Sequence, residues 1–325
     1  MSGIKVSGQK RLVIVSGRGY PDLAQQIADE LGSELVPTDA RTFANGELYA
    51  RYDESVRGCD AFVIQSHTNP INEWLMEQLI MVDALKRASA KRITVVAPFY
   101  PYARQDKKGR GREPISARLV ADLFKAAGAD RIMSVDLHAA QIQGFFDGPV
   151  DHLFAMPVLL EHFRNNLDTS NLTVVSPDMG RVRVADIWSD KLGSPLAIIH
   201  KRRDPLVPNK VTVHDIVGEV EGRVCLIVDD MIDTGRTIVK ASEALKNAGA
   251  LSVVVAATHA IFSDPAPEIL QSDFIDQVVV TDTLPLPESK RFPTLTVLPI
   301  APILARAIRE VFEDGSVTSM FDGAA

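Results

Sequence analysis

At 325 residues the chain is too long for one ordinary compact core and suits two α/β units. With 46% hydrophobic and 24% charged residues it has the balance of a globular protein, which excludes general disorder. Its 35 Lys plus Arg against 42 Asp plus Glu leave a net charge of −7, so the global basic field of a nucleic-acid binder is missing, although local basic patches stay open.

Met1–Lys10 lacks the apolar centre of a signal peptide, and Leu12–Val15 reads as a first buried strand. Gly17-Arg18-Gly19 makes a tight turn into a helix over Asp22–Leu31; Asp22 fills the place where a dinucleotide fingerprint needs its third glycine. Strands are then predicted at Ala61–Ile64, Ile93–Ala97 and Ile132–Val135, with helices at Asn72–Ala88 and Ala117–Ala127 between them. A helix over Met156–Asn166 follows, and strands Thr173–Val175, Ala197–Ile199, Val224–Val228 and Val253–Ala257 alternate with helices Val182–Leu192 and Ile238–Ala248. Pro302–Phe312 is the last predicted helix. Gly32, Gly128, Gly193 and Gly249 stand just past helix ends as stop signals. Nearly continuous apolar runs suit parallel strands covered on both faces, so the expected class is α/β, with two doubly wound, mainly parallel sheets.

Gly148, Pro149 and Pro157 mark the expected boundary, with one domain over 1–155, a second over 156–311 and the tail 312–325 returning to the first. Cys59 and Cys225 lie in apolar runs and read as core residues of a reducing compartment, not as a disulfide or metal knuckle. No apolar stretch approaches the roughly 20 residues of a membrane span, so the expectation is a cytoplasmic protein with neither nucleic acid nor membrane as partner.

Two connections are unusually long and charged. One is Tyr100–Pro114, carrying Arg104, Lys107, Lys108, Arg110 and Arg112; the other is Lys201–Lys210. A lone charge run is ordinarily a solvated loop. Both of these follow predicted strands, and ligands of open α/β sheets bind at strand carboxyl ends, which favours an anionic substrate. The most informative stretch is Val224–Thr237, VCLIVDDMIDTGRT. An apolar strand runs into Asp229 and Asp230, and the loop Asp233-Thr234-Gly235-Arg236-Thr237 opens a helix near Ile238. Such a loop offers backbone N–H groups and the positive end of a helix dipole to a phosphate. Carboxylates at the strand end accept hydrogen bonds from sugar hydroxyls. Simple N-capping of the helix is the bland alternative, and the paired acids weigh against it.

This segment resembles the phosphoribosyl-diphosphate loop shared by type I phosphoribosyltransferases and ribose-phosphate pyrophosphokinases. Phe43–Glu47 (FANGE), Phe99–Leu123, Asp136–Leu153, Ser176–Arg183 (SPDMGRVR), His200–Pro205 (HKRRDP) and Ser316–Phe321 (SVTSMF) all resemble the bacterial pyrophosphokinase family, in its order. The resemblance implies phosphoribosyltransferase-type domains and transfer of the β,γ-diphosphate of ATP to ribose 5-phosphate, with Mg²⁺ as cofactor. It implies Phe43, Asn45, Gly46, Glu47, Arg104 and Gln105 on ATP, His138 and Asp178 on the metal, and Lys201 and Arg203 as a catalytic pair on a mobile loop. Arg203, Asp229, Asp230, Asp233, Thr234, Gly235, Arg236 and Thr237 would hold ribose 5-phosphate. Without the resemblance His138 reads as a core histidine. A homo-oligomer, a hexamer in the family, with ADP and phosphate as effectors is implied as well. A phosphoribosyltransferase would explain Asp229–Thr237 but not the ATP-like blocks. A catalytically silent regulatory relative should have lost Lys201, Arg203, His138 or Asp178, and all four stand. The family loop commonly has glycine where Arg236 stands, so backbone strain is expected at Arg236 if that position needs positive φ.

Overall fold

The computed structural model describes residues 10–203 and 211–321, apart from the side chains of 201–203 and 211–214. Two compact units form, one from Met1–Leu153 with Ala301–Ala325, the other from Phe154–Ile300.

In the first unit, β1 (Leu12–Ser16), β4 (Asp60–Ile64), β5 (Arg92–Val96), β6 (Arg131–Val135) and β7 (Val150–Leu153) form a five-stranded sheet in that order. Every pairing in it is parallel. A parallel sheet is stable only when both faces are covered, and the strand residues show it. Val13, Val63 and Val95 pack with Val82 and Leu85 of α2 (Ile71–Arg87) and with Val120 and Phe124 of α3 (Ser116–Ala127). Their neighbours Ile14, Phe62 and Ile64 are equally buried and point the other way. There α1 (Pro21–Leu31) packs on β1 and on α8 (Ala301–Phe312), and α8 also meets β7. The sequence alone assigns residues 301–311 to the second domain. In the structure they belong to the first unit, because the apolar stripe of α8, with Leu304 and Ile308 fully buried, is covered there. Pro21 opens α1 at its first turn, and Gly32 sits at its C-cap.

An antiparallel hairpin, β2 (Thr38–Thr42) with β3 (Leu48–Tyr52), stands apart from this sheet. It is anchored to α2, where Tyr52 Oη donates to Met81 O at 2.9 Å.

The second unit has a seven-stranded sheet. Its order is β10 (Val211–Val217), β9 (Leu196–Arg203), β8 (Leu172–Ser176), β11 (Val224–Ile232), β12 (Ser252–Ala260), β13 (Gln277–Thr281) and β14 (Leu295–Leu298). All neighbours are parallel except β10, which runs antiparallel to β9 at the edge. On one face α5 (Val182–Leu192) packs on β8, β9 and β11, with α4 (Met156–Asn166) beside it. On the other, Ile238, Ala241 and Leu245 of α6 (Arg236–Asn247) and Ala266 of the single-turn α7 (Ala266–Ile269) join Ile227 and Val255 in one core. The chain passes from β8 to β9 on one side, then returns to place β11 on the other. The order therefore reverses between β8 and β11, and the crevice outside their carboxyl ends is where such sheets bind ligands.

Candidate active site

Asp229 and Asp230 were expected at the end of a strand closing at Val228. They lie instead inside β11, which continues to Ile232. The reason is a difference between its two neighbours. β8 accompanies β11 only as far as Ile227, whereas β12 stays paired to Ile232. The two acids thus fall where the β8 side of the strand opens, facing the turn that follows Ser176.

That turn supplies a residue that sequence reasoning did not single out. Arg181, the N-cap residue of α5, places its Nε 3.2 Å from Asp229 Oδ1 and its Nη2 2.6 Å from Asp230 Oδ1. All three side chains are largely buried, at 14%, 17% and 9% exposure. The Asp230 N–H also donates to Asp229 Oδ1 at 2.9 Å. Burial and the adjacent Asp230 push the Asp229 carboxyl well above the usual range, and the Arg181 guanidinium pulls the other way. Asp178 lies in the same turn, half-buried. Its Oδ1 accepts the Gly180 N–H at 2.9 Å, and its carbonyl accepts Ser176 Oγ at 2.8 Å.

After β11 the chain turns through Asp233 and Thr234, both half-buried, into α6. Gly235 is its N-cap residue, with φ 72° and ψ −13°. This left-handed conformation suits glycine, and an added Cβ would stand 3.3 Å from Leu270 Cγ. The first helical bond is Val239 N–H to Gly235 O at 3.0 Å, so the amides before Val239 have no helical carbonyl behind them. They stand at the loop with the positive end of the dipole. Arg236 and Thr237 are exposed in this first turn. The strain expected at Arg236 is absent: the left-handed residue is Gly235, one position earlier, and Arg236 is the first residue of the helix.

Lys201 and Arg203 were expected on a loop. Their backbones belong to β9, with Lys201 opposite His214 and Arg203 opposite Val211 of β10. The rest of that expected loop, 204–210, falls outside the described residues, as do the side chains of the pair.

The expected nucleotide residues lie in the first unit. Phe43, Asn45, Gly46 and Glu47 form the exposed tip of the β2–β3 hairpin. Phe43 N–H donates to Glu47 O and Gly46 N–H to Phe43 O, each at 2.8 Å, with Gly46 at φ 90°. Asn45 Oδ1 accepts the Glu47 N–H at 3.2 Å. Phe43 is 44% exposed and meets Tyr49 edge to face at 5.8 Å, while Arg41 lies 4.8 Å over the Tyr49 ring and 5.7 Å from that of Phe43. An exposed aromatic braced in this way offers a stacking surface to a flat ring.

Arg104 and Gln105 are exposed at the start of the charged connection after β5. Gln105 is tied to the head of α3, where Ser116 Oγ donates to its Oε1 at 2.6 Å and Ala117 N–H to its carbonyl at 3.2 Å. Residues 107–114 are all exposed.

His138 is half-buried just past the carboxyl end of β6. The turn leading to it is held by Leu137 N–H donating to His152 Nε2 at 2.9 Å, and Asp136 there has φ 38°. Among the described residues no three His, Cys, Asp or Glu side chains gather into a metal cluster. None of the helices described is long and apolar enough to cross a membrane.

The structure thus brings Asp178, Asp229, Asp230 and the 233–237 loop to one crevice of the second unit. The expected adenine residues are grouped on the first.

Residues 12–128 match the N-terminal domain of ribose phosphate pyrophosphokinase, and 201–322 match the phosphoribosyl synthetase-associated domain. A ribose-phosphate pyrophosphokinase of Streptomyces avermitilis is 63% identical over 322 residues, 99% of each chain. One from Mycobacterium tuberculosis is 61% identical over 326 residues and covers 100% of both chains. The crystal structure of phosphoribosylpyrophosphate synthetase from Mycobacterium smegmatis superposes with a TM-score of 0.90 at 59% identity, covering 94% of this chain and 100% of that one. The chain belongs to the ribose-phosphate pyrophosphokinase family.

Proposed function

We propose that this chain moves the β,γ-diphosphate of Mg·ATP onto the anomeric hydroxyl of ribose 5-phosphate, giving 5-phosphoribosyl 1-diphosphate and AMP. The observation that carries the reading is the crevice between β8 and β11, where two largely buried carboxylates stand beside the N-terminus of α6. A sugar phosphate uses both halves of it. The phosphate takes the amides at the head of α6 and the hydroxyls of Thr234 and Thr237, and the ribose hydroxyls donate to Asp229 and Asp230. Asp233 and Gly235 shape the turn, and Arg236 lies at its exposed side, where its charge favours the phosphate. On the first unit Phe43 stacks on adenine, Asn45, Gly46 and Glu47 contact its edge, and Arg104 and Gln105 reach the nucleotide.

The anomeric oxygen forms a bond to the β-phosphorus as the bond from that phosphorus to the oxygen shared with the α-phosphate breaks, and AMP departs. Charge spreads over the transferring oxygens, so positioning and electrostatic stabilisation carry the rate. Lys201 contributes a compact charge and Arg203 a planar fork that clamps two oxygens and also meets the sugar phosphate. No general base is assigned.

Asp178 offers a carboxylate oxygen of the kind Mg²⁺ takes while it keeps several waters alongside substrate phosphates. Asp178 would hold it, His138 is assigned to the metal by the family resemblance, and when bound the ion neutralises phosphate charge.

A homo-oligomer, hexameric as in the family, and regulation by ADP and phosphate complete the proposal, as does a cytoplasmic location. The tail 316–321 is assigned to the regulatory site, with Phe321 buried against the first unit. Steady-state kinetics test the division of labour. Phe43→Ala should raise the KM for ATP alone, and Asp230→Asn the KM for ribose 5-phosphate alone. A crossed or absent response counts against it.

A further inference from the structure

Arg181 has no part in the reading above, yet its side chain contacts both acids of the crevice. It stands at the N-cap of α5 without a side-chain capping bond, and its backbone is already engaged. Its N–H donates to Asp178 O at 3.4 Å, and its carbonyl accepts the Ala185 N–H at 3.0 Å. The side chain crosses instead to the neighbouring strand and divides its donors, Nε to Asp229 and Nη2 to Asp230. Both acids give it the same kind of atom, Oδ1. Two adjacent carboxylates withdrawn from water repel one another and tend to share a proton; a cation bridging both opposes that.

We infer that Arg181 is a positioning residue for the sugar: it holds Asp229 and Asp230 fixed as a pair of acceptors for two neighbouring ribose hydroxyls. This rests on the assignment of the acid pair to ribose 5-phosphate. Arg181 acts through the acids, and its charge also offsets theirs where a phosphate dianion must approach.

The test is the KM for each substrate in Arg181→Ala and Arg181→Lys, with Asp230→Asn in parallel and each variant's thermal unfolding recorded. Loss of Arg181 should raise the KM for ribose 5-phosphate about tenfold or more, the scale of one charged hydrogen bond, and leave the KM for ATP within about twofold. Lysine keeps the charge but lacks the fork, so it should restore part of the affinity. A brace that only supports the fold would not distinguish the substrates in this way. If Arg181→Ala does not fold, Arg181→Lys carries the test, with a several-fold rise in the same KM expected. An unchanged or lower KM for ribose 5-phosphate in the Arg181 variants, while Asp230→Asn raises it, overturns the inference and leaves the sugar site standing. If Asp230→Asn also leaves that KM unchanged, the sugar site itself is wrong and the inference falls with it.

Discussion

Gly235→Ala probes the phosphate loop at its most constrained residue. With φ at 72°, an alanine there bears the cost of the left-handed region, roughly 1–2 kcal/mol. The new methyl would stand 3.3 Å from Leu270 Cγ and 3.5 Å from Ala266 Cβ, so Leu270, just past α7, must give way slightly as well. A total near 2 kcal/mol corresponds to a fall in unfolding temperature of about 4–8 °C for a unit of this size. The same adjustment shifts the head of α6, so the KM for ribose 5-phosphate should rise while that for ATP holds. Arg236→Gly is the control. Arg236 is already helical, so glycine relieves nothing and costs up to about 1 kcal/mol of helix propensity. Differential scanning calorimetry and steady-state kinetics on both variants provide the assay. A Gly235→Ala protein that unfolds at the wild-type temperature, or an Arg236→Gly protein that is more stable than wild type, would refute the reasoning.

Lys201→Ala should lower kcat by about 10²-fold, the worth of one transition-state charge contact of roughly 3 kcal/mol, with little change in either KM. Near-normal kcat would remove Lys201 from the mechanism. His67 is fully buried beyond β4, with Nδ1 3.2 Å from Phe99 O, and burial lowers its pKa to about 4. Its unfolded value is near 6.5, so between these limits the unfolded chain binds more protons. Stability present above pH 6.5 is therefore lost as pH falls towards 4, by about 3 kcal/mol in all. Urea unfolding at pH 7 and pH 5 should show part of this loss in the wild type and a smaller loss in His67→Gln. Equal losses in the two proteins would contradict it.

Much of the architecture was legible because buried parallel strands leave a plain mark. LVIV, AFVI and VCLIV are apolar without interruption, and each lies in a central or covered strand. The β2–β3 hairpin left none, since TDART is mostly polar and neither strand is buried. β7 and β14 are four residues long, and VDHL carries two polar side chains, too little for a period to register. The reach of β9 into Lys201–Arg203 was hidden by charge, because an edge hairpin tolerates Lys and Arg that a buried strand would not. At the site, the acids and the glycine-bearing loop were readable from their chemistry. The position of the left-handed residue was misplaced by one, since only the helix start decides whether Gly235 or Arg236 takes positive φ. Arg181 had no local signal. Its pairing with Asp229 and Asp230 arises from where β8 stops alongside β11, a fact of the sheet and not of either segment.

The central claim is the identity of the group transferred, and phosphorus NMR of one reaction mixture tests it most directly. With the protein, Mg·ATP and ribose 5-phosphate, the account predicts loss of the ATP resonances and growth of AMP together with a diphosphate attached to the sugar, in equal amounts. Formation of ADP in place of AMP, or ATP left intact beside ribose 5-phosphate, would contradict it.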